Sequence, residues 1–327
     1  MMALLGVVLG VVALIGGGVL LVRGASDLAT KLGVSPMIVG LTIVSFGTSA
    51  PELVVNVLGA FRGETALAFG NVVGSNITNL SVVLGITAII APISIQGNLV
   101  RRELPLLLLG TTMLTVMALD GLLEGYPPAL GLTDSIVLLL VFCIFLYITA
   151  MDVVRPTQRD QLFVDIEESH IVHDGVTPSH SVLFMLAGGA LLFVGGELTV
   201  RSATTLAAGF DVSPTIIGVF VVAIGTSLPE LVTSVVAALK KESDLALGNV
   251  IGSNLFNTLF VLPTSGLISK IAIPEGGVLD LGMSWILAAI LIPLFFIGKA
   301  QLGRLPGAIL LLVYAGYAFF RIQGQLA

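Results

Sequence analysis

The sequence predicts an all-α polytopic membrane protein: about ten transmembrane helices arranged as two inverted five-helix repeats, with broken helices meeting at the membrane midplane. Three observations predict it. Apolar residues make up 56% of the 327 and charged residues 10%, with a mean hydropathy of +1.09, where a soluble domain carries about 25% charge. Residues 23–80 align with 201–258 without a gap, at a constant offset of 178 and with 29 identities in 58 positions. Each copy also sets one glutamate beside a proline inside an otherwise apolar run.

The composition comes first. Apolar runs of about 20 residues, the length that spans a bilayer, fill most of the chain, whereas transmembrane strands would leave short alternating segments. The net charge of −6 sits mostly in loops and says little about partners; nothing points to nucleic acid or to an obligatory protein partner. Cys143 is the only cysteine and lies in an apolar run, so it reads as packing, with no disulfide framework. The first apolar stretch has no basic residue before it, and its first positive charge, Arg23, follows it. A cleavable leader needs a basic start, so this stretch reads as a first helix with its N-terminus outside.

The elements follow in order: helices near 3–22, 34–60, 65–92, 103–119, 130–150, 181–200, 212–239, 244–268, 281–298 and 305–321. The polar stretch 151–180 holds Arg155, Arg159, Asp160, Asp165, Glu167, Glu168 and all three histidines. It divides the chain into a first repeat, 1–150, and a second, 181–327. Five helices precede it, which makes this linker cytoplasmic in a cell (inner) membrane. On that topology Arg23, Lys31, Arg101, Arg102, Arg155, Arg159, Lys240, Lys241, Lys299 and Arg304 lie inside, and Arg62, Arg201, Lys270 and Arg321 outside. The division, 10 against 4, has the sense of the positive-inside rule.

The repeat is carried by polar residues in register, which shared apolar composition does not produce. VSP at 34–36 matches VSP at 212–214, GTSAPELV at 47–54 matches GTSLPELV at 225–232, and GNVVGSN at 70–76 matches GNVIGSN at 248–254. An odd number of helices per repeat turns the halves over relative to each other. Inverted repeats with interrupted helices are a transporter architecture, and the interruptions point to its binding site.

Within Gly47-Thr48-Ser49-Ala50-Pro51-Glu52, a carboxylate at membrane depth needs a partner or a wet cavity. Pro51 has no N–H, so the Gly47 carbonyl loses its helical donor and the helix is expected to break there. Thr48 and Ser49 lie four and three residues before Glu52 and share its helical face. Carboxylate, hydroxyl and freed carbonyl oxygens are what hard cations such as Ca²⁺ and Na⁺ bind. Gly225, Thr226, Ser227, Pro229 and Glu230 repeat the set. The next helix of each half supplies a neutral wall, Asn71, Ser75 and Asn79 and again Asn249, Ser253 and Asn257, each at i, i+4 and i+8. Gly70, Gly74, Gly248 and Gly252 leave room for a close helix approach. Polar residues in membrane helices also serve plain packing, but packing needs neither the prolines nor the hydroxyl turns.

Other candidates read more simply. Glu197 stands four residues before Arg201, an i,i+4 pair, and its first-half counterpart is Val19. Asp27 and Asp211 are expected at helix ends, capping or facing water. His170, His173 and Asp174 read as solvated linker residues, and Asp120 and Glu124 as outer-loop acids that decorate the surface or attract cations.

GTSAPE with GNVVGSNITN, and GTSLPE with GNVIGSNLFN, resemble the two alpha-repeats of the calcium/cation antiporter superfamily, specifically its prokaryotic sodium/calcium exchangers. The resemblance covers essentially the whole chain. It implies that Glu52 and Glu230 are the principal Ca²⁺ ligands, shared with Na⁺. Thr48, Ser49, Thr226 and Ser227 would add oxygens, as would the backbones at Ser45 and Ala223. Ser75 and Ser253 would complete Na⁺ sites, and Asn79 and Asn257 would line the centre. Potassium-dependent exchangers carry Asp where this chain has Asn257, and the GNA-x-E pattern of proton/calcium exchangers is absent.

The function expected is secondary antiport, Na⁺ for Ca²⁺ by alternating access and in the export direction, with the two ions and the lipid bilayer as partners and no cofactor. The first and sixth helices would slide across the bundle on smooth faces made by Gly10, Gly17, Gly18, Gly188, Gly195 and Gly196. A proton-driven exchanger on the same scaffold and a cation channel are the alternatives. An enzyme is not expected, for no second acid stands beside either glutamate in sequence and no HExxH motif occurs.

Overall fold

The structure, a computed structural model, describes residues 2–94, 102–123, 125–154, 178–208, 223–297 and 301–326. Their helices fall into ten runs. Seven of these are long and apolar enough to cross a membrane, and Leu104–Asp120 and Leu228–Leu239 are shorter apolar helices. The expected linker residues 155–177, with His170, His173 and Asp174, lie outside the described residues, as do Arg101, Glu124, Asp211 and the second VSP.

Helix α1 (Met2–Leu32) runs well past its expected end at 22. It stops where Gly33 takes a left-handed conformation, φ +66, with Gly33 N–H donating to the Thr30 carbonyl and Val34 N–H to that of Ala29, a glycine C-terminal motif. Asp27 therefore sits inside a helix, half-buried, rather than at a helix end. Ser35 then caps α2 (Pro36–Val39), its hydroxyl accepting from Ile38 N–H. One wide π turn, Gly40–Val44, leads into α3 (Ser45–Phe61).

Helix α3 corrects one expectation. Pro51 lies inside it and the helix continues unbroken, because a single proline removes one backbone bond while the flanking ones persist. In the second half the same motif does break. The short α9 (Ala223–Thr226) ends at Ser227, and α10 (Leu228–Leu239) restarts with Pro229 in its first turn, where no helical donor is needed.

The two motif-bearing helices that follow coincide residue for residue at the repeat offset. Helix α4 (Thr65–Thr78), a π turn at Asn79–Val83, α5 (Leu84–Ile90) and β1 (Ile93–Ser94) are matched in the second half. There α11 (Ser243–Phe256) is followed by a π turn at Asn257–Val261, α12 (Leu262–Ile268) and β3 (Ile271–Ala272). The strand pairings cross between halves: β1 pairs antiparallel with β4 (Gln301–Leu302), and β3 with β2 (Ala129–Leu130). These two helical runs form the centre. Of an apolar 18-residue stretch within each, 78% of Thr65–Ile90 and 94% of Ser243–Ile268 is buried, against 28% for Leu132–Met151 and Ser179–Leu206.

Around them stand α6 (Leu104–Leu123), α7 (Leu132–Val154), α13 (Gly277–Ile297) and α14 (Arg304–Leu326). Outward-facing Leu140, Ile144 and Leu312 are exposed, as is Cys143. Cys143 thus lies on the outer, lipid-side face of its helix rather than in packed interior.

Helices α1 and α8 (Pro178–Ala208) lie antiparallel with backbones touching. A Cβ at Gly188 would stand 2.7 Å from the Gly17 carbonyl oxygen, and one at Gly195 would stand 2.8 Å from that of Gly10. Only glycine allows this approach. Gly10, Gly17, Gly188 and Gly195 thus join the two helices to each other instead of smoothing their faces toward the bundle. Gly18 and Gly196 keep the expected orientation, meeting Val232 and Pro229 of α10. A second close crossing, Gly40 against Gly248, brings the π turn of the first half onto α11.

Candidate cation site

The Gly40–Gly248 crossing sets the start of α3 directly against α11, and the polar residues of both meet there. Thr48 is 1% exposed, and its hydroxyl lies 3.1 Å from Asn249 Oδ1, 3.3 Å from Ser253 Oγ and 3.3 Å from the Ser45 carbonyl. One hydroxyl proton cannot serve both the Ser45 carbonyl and Asn249 Oδ1, and the Ser253 hydroxyl can donate or accept, so a lone pair in this group stays free. Asn249 is oriented by its other end: Nδ2 donates to Ser234 Oγ at 3.0 Å and to the Glu230 carbonyl at 3.3 Å. Its amide oxygen is thereby turned to Thr48. The Ser45 hydroxyl is spent on its own helix, donating to the Leu41 carbonyl at 2.7 Å, so Ser45 offers the site its carbonyl.

The two carboxylates are deep, Glu52 2% and Glu230 0% exposed, and within electrostatic range of each other. Ser49, one turn before Glu52, donates to Glu230 Oε1 at 3.2 Å. This bond ties the first-half motif to the second-half carboxylate. Its mirror is missing: Ser227 Oγ is buried with no protein partner, and so are both oxygens of Glu52 and Oε2 of Glu230.

More buried groups are unpartnered on the neighbouring helices. Ser75 Oγ and both amide ends of Asn79 and of Asn257 have no protein partner, and each asparagine opens a π turn. Such turns recur at functional sites because they re-aim the side chains around them. Native structures leave few buried polar atoms unpaired, so this many of them, on the helices that carry the two carboxylates and on the elements packed against those helices, mark a place built to take something in. Among the described residues no group of three or more His, Cys, Asp or Glu gathers round one point. A guest here meets two carboxylates and neutral oxygens, a donor set for hard cations.

Of the twelve predicted residues, Ser45, Thr48, Ser49, Glu52, Glu230 and Ser253 are joined by these contacts, and Ser75, Asn79, Ser227 and Asn257 are buried with polar atoms that have no protein partner. Thr226, half-buried, ends α9, and Ala223 opens it. The Asn/Ser stripes divide rather than act as one wall. Asn249 joins the site, whereas Asn71 turns aside and donates to Asn56 Oδ1 at 3.0 Å.

Sequence reasoning passed over Asn56 and Ser234, the acceptors that orient those asparagines. Their signal was available, as each lies four residues after its glutamate and 178 from the other. It also left out Asn76 and Asn254, whose amide nitrogens donate to Thr258 Oγ1 and the Val250 carbonyl at 2.8 Å while their buried oxygens remain unpartnered. Both sit within the quoted GNVVGSN and GNVIGSN.

Residues 2–151 and 180–323 match the sodium/calcium exchanger protein family. The chain is 36% identical to the inner membrane protein YrbG of Escherichia coli, covering 76% of this chain and 74% of that one. It is 27% identical to the sodium/calcium exchanger MaX1 of Methanosarcina acetivorans, covering 94% and 95%. In three dimensions it is similar to the sodium-calcium exchanger NCX_Mj soaked with Na⁺ and no Ca²⁺, with a TM-score of 0.79, 28% identity and 96% of each chain covered.

Proposed function

Because this chain belongs to the sodium/calcium exchanger protein family, we propose that it exchanges Na⁺ for Ca²⁺ by alternating access, in the Ca²⁺-export direction across the cell (inner) membrane. It is a multi-pass membrane transporter and not an enzyme. The observation that carries the reading is the pair of buried carboxylates whose oxygens lack protein partners, Glu52 on both and Glu230 on one. An unneutralised carboxylate at this depth is costly, and a bound cation relieves that cost.

In this reading Glu52 and Glu230 hold Ca²⁺, and Thr48, Ser49, Thr226 and Ser227 supply hydroxyl or carbonyl oxygens. Ser75 and Ser253 belong to Na⁺ positions, Asn79 and Asn257 line the centre, and the Ser45 and Ala223 backbones complete it. Both ions use the same carboxylates, so one must leave before the other binds. A filled site is nearly neutral and crosses the low-dielectric interior readily, while an empty one leaves two like charges facing each other there. That difference couples the fluxes. The two repeats, inverted about the membrane plane, would offer the site to each side in turn. The glycine-joined α1 and α8 would move as one body against α10, with Gly18 and Gly196 on the sliding face.

The test is uptake of radiolabelled Ca²⁺ into vesicles carrying the purified protein, with either a Na⁺ or a pH gradient imposed. Uptake that follows the Na⁺ gradient is expected. Uptake that follows only the pH gradient would overturn Na⁺ coupling and assign the same site to a proton/calcium exchanger. Single-channel currents without saturating exchange would overturn antiport.

A further inference from the structure

The repeat places an arginine at equivalent positions of α8 and α1, Arg201 and Arg23, and treats the two differently. Arg201 is neutralised within its own helix by an ion pair with Glu197. At Arg23 the equivalent position is Val19, which offers only its backbone carbonyl, and that carbonyl accepts Lys240 Nζ at 3.4 Å. A second cation therefore sits close to Arg23. Burial and the Arg23 charge hold the Lys240 ammonium below the usual lysine range, with Glu242 and Asp27 acting in the opposite sense. Arg23 itself rests over the Phe184 ring, 5.1 Å from its centre.

Lys241 adds a third cation, exposed and in the left-handed region at φ +66. The equivalent turn of the first half has Gly63 there, at φ +75. A side chain is disfavoured in that conformation, yet the chain sets a lysine in it. Lys31 stands further along α1, donating to Ser181 Oγ at 3.2 Å. Asp27 and Glu242 are the carboxylates that face this group, and among the described residues no ion pair forms at Arg23, Lys240 or Lys241. The place is a membrane edge. α1 is apolar up to Val22, α10 ends at Leu239, and Val19 and Leu239 beside the cations are 39% and 61% exposed.

We propose that Arg23, Lys240 and Lys241 bind the phosphate headgroup of an anionic phospholipid in the leaflet on the linker side, with its acyl chains along Val19 and Leu239. Cations at a membrane edge attract acidic lipids, and basic pockets between helices take their headgroups. The equivalent turn of the other half lacks the surplus charge, because Glu197 cancels Arg201 and Gly63 replaces Lys241.

Retention of phosphatidylglycerol against phosphatidylcholine by the purified full chain, measured by native mass spectrometry, tests this. Lys240→Gln removes one cation, and Val19→Glu installs beside Arg23 the carboxylate that Arg201 already has. Each is expected to weaken phosphatidylglycerol retention about fivefold, the worth of one cation at an acidic surface. Arg62→Gln, at the equivalent turn, should leave it unchanged, and melting temperatures establish that all variants are folded. Retention by folded Lys240→Gln equal to the parent's overturns the site. Displacement of phosphatidylglycerol by inorganic phosphate overturns the lipid assignment in favour of a free anion.

Discussion

Asp280 and Glu52 are carboxylates buried on membrane helices to nearly the same degree, 8% and 2% exposed, yet their surroundings are opposite. Asp280 Oδ1 accepts from the Tyr317 hydroxyl at 2.8 Å and from Arg321 Nε at 2.9 Å, and Oδ2 accepts from Arg321 Nη2 at 3.1 Å. The same guanidinium also donates to the Glu275 carbonyl, so the ion pair clamps α13, its preceding turn and α14 together. Glu52 has no protein partner on either oxygen. A buried charge must be neutralised in both places. In one the neutralising cation is part of the chain and permanent; in the other, on the proposed exchange, it has to be free to leave. A fixed arginine at Glu52 would stabilise the fold and end exchange. An absent partner is therefore the more telling feature, and it separates the proposed transport site from a structural clamp where burial alone does not.

The largest expected effect lies at the centre. Glu52→Gln and Glu230→Gln should each lower Ca²⁺ uptake by more than about a hundredfold, beyond the 10–100-fold that supporting groups around a metal command. Neither should lower the melting temperature, because each removes a buried charge that no cation of the chain neutralises, and a glutamine oxygen at 230 can still accept from Ser49. Vesicle uptake beside a thermal melt of the same preparation separates the two quantities. Full transport by the double variant would break the site assignment.

The clamp should answer in the reverse way. Arg321→Gln leaves Asp280 buried without its cation, a change that costs about 3–5 kcal/mol. The melting temperature should fall sharply, while uptake per folded molecule stays near that of the parent. If uptake were lost with no change in stability, the clamp would belong to the transport machinery and the contrast would fail.

The contrast was only half legible in the sequence. The glutamates, their hydroxyl neighbours and the repeat were all visible, because polar residues cost free energy inside apolar helices and chance does not set them in register twice. The π turns at Asn79 and Asn257 were not, since nothing in NLSVV or NTLFV distinguishes a wide turn from an ordinary one. Nor was the difference between the two proline motifs, where nearly identical sequences give one continuous helix and one broken one. That choice depends on what each helix packs against, as does the use of Gly17 and Gly188 to join α1 to α8. Asp280 passed unnoticed for the same reason: its partners Tyr317 and Arg321 stand 37 and 41 residues away, and pattern along the chain does not bring them together.

A smaller effect sharpens the site side. Thr48→Val keeps the shape of the side chain but removes the hydroxyl facing Asn249, Ser253 and the Ser45 carbonyl. Loss of one buried hydrogen-bonding group costs about 1–3 kcal/mol. The half-saturating Ca²⁺ concentration should rise about tenfold, which corresponds to about 1.4 kcal/mol, with the maximal rate kept. A concentration series of initial uptake rates reads this directly. A change in maximal rate alone would place Thr48 in the moving machinery rather than among the ligands.

The smallest effect is expected at the edge of the clamp. Tyr317→Phe removes the phenol donor from Asp280 Oδ1, but Arg321 still donates to both carboxylate oxygens. The charge therefore remains neutralised, and only one hydrogen bond of several is lost. That should cost about 1–2 kcal/mol, well below Arg321→Gln, with Ca²⁺ uptake unchanged. Melting temperatures of the two variants, measured side by side, give the ratio. If Tyr317→Phe were as damaging as Arg321→Gln, the phenol would be holding the guanidinium in place. The neutralisation of Asp280 would then depend on a network rather than on one cation, and the clamp would stand closer to the central site than the geometry now sets it.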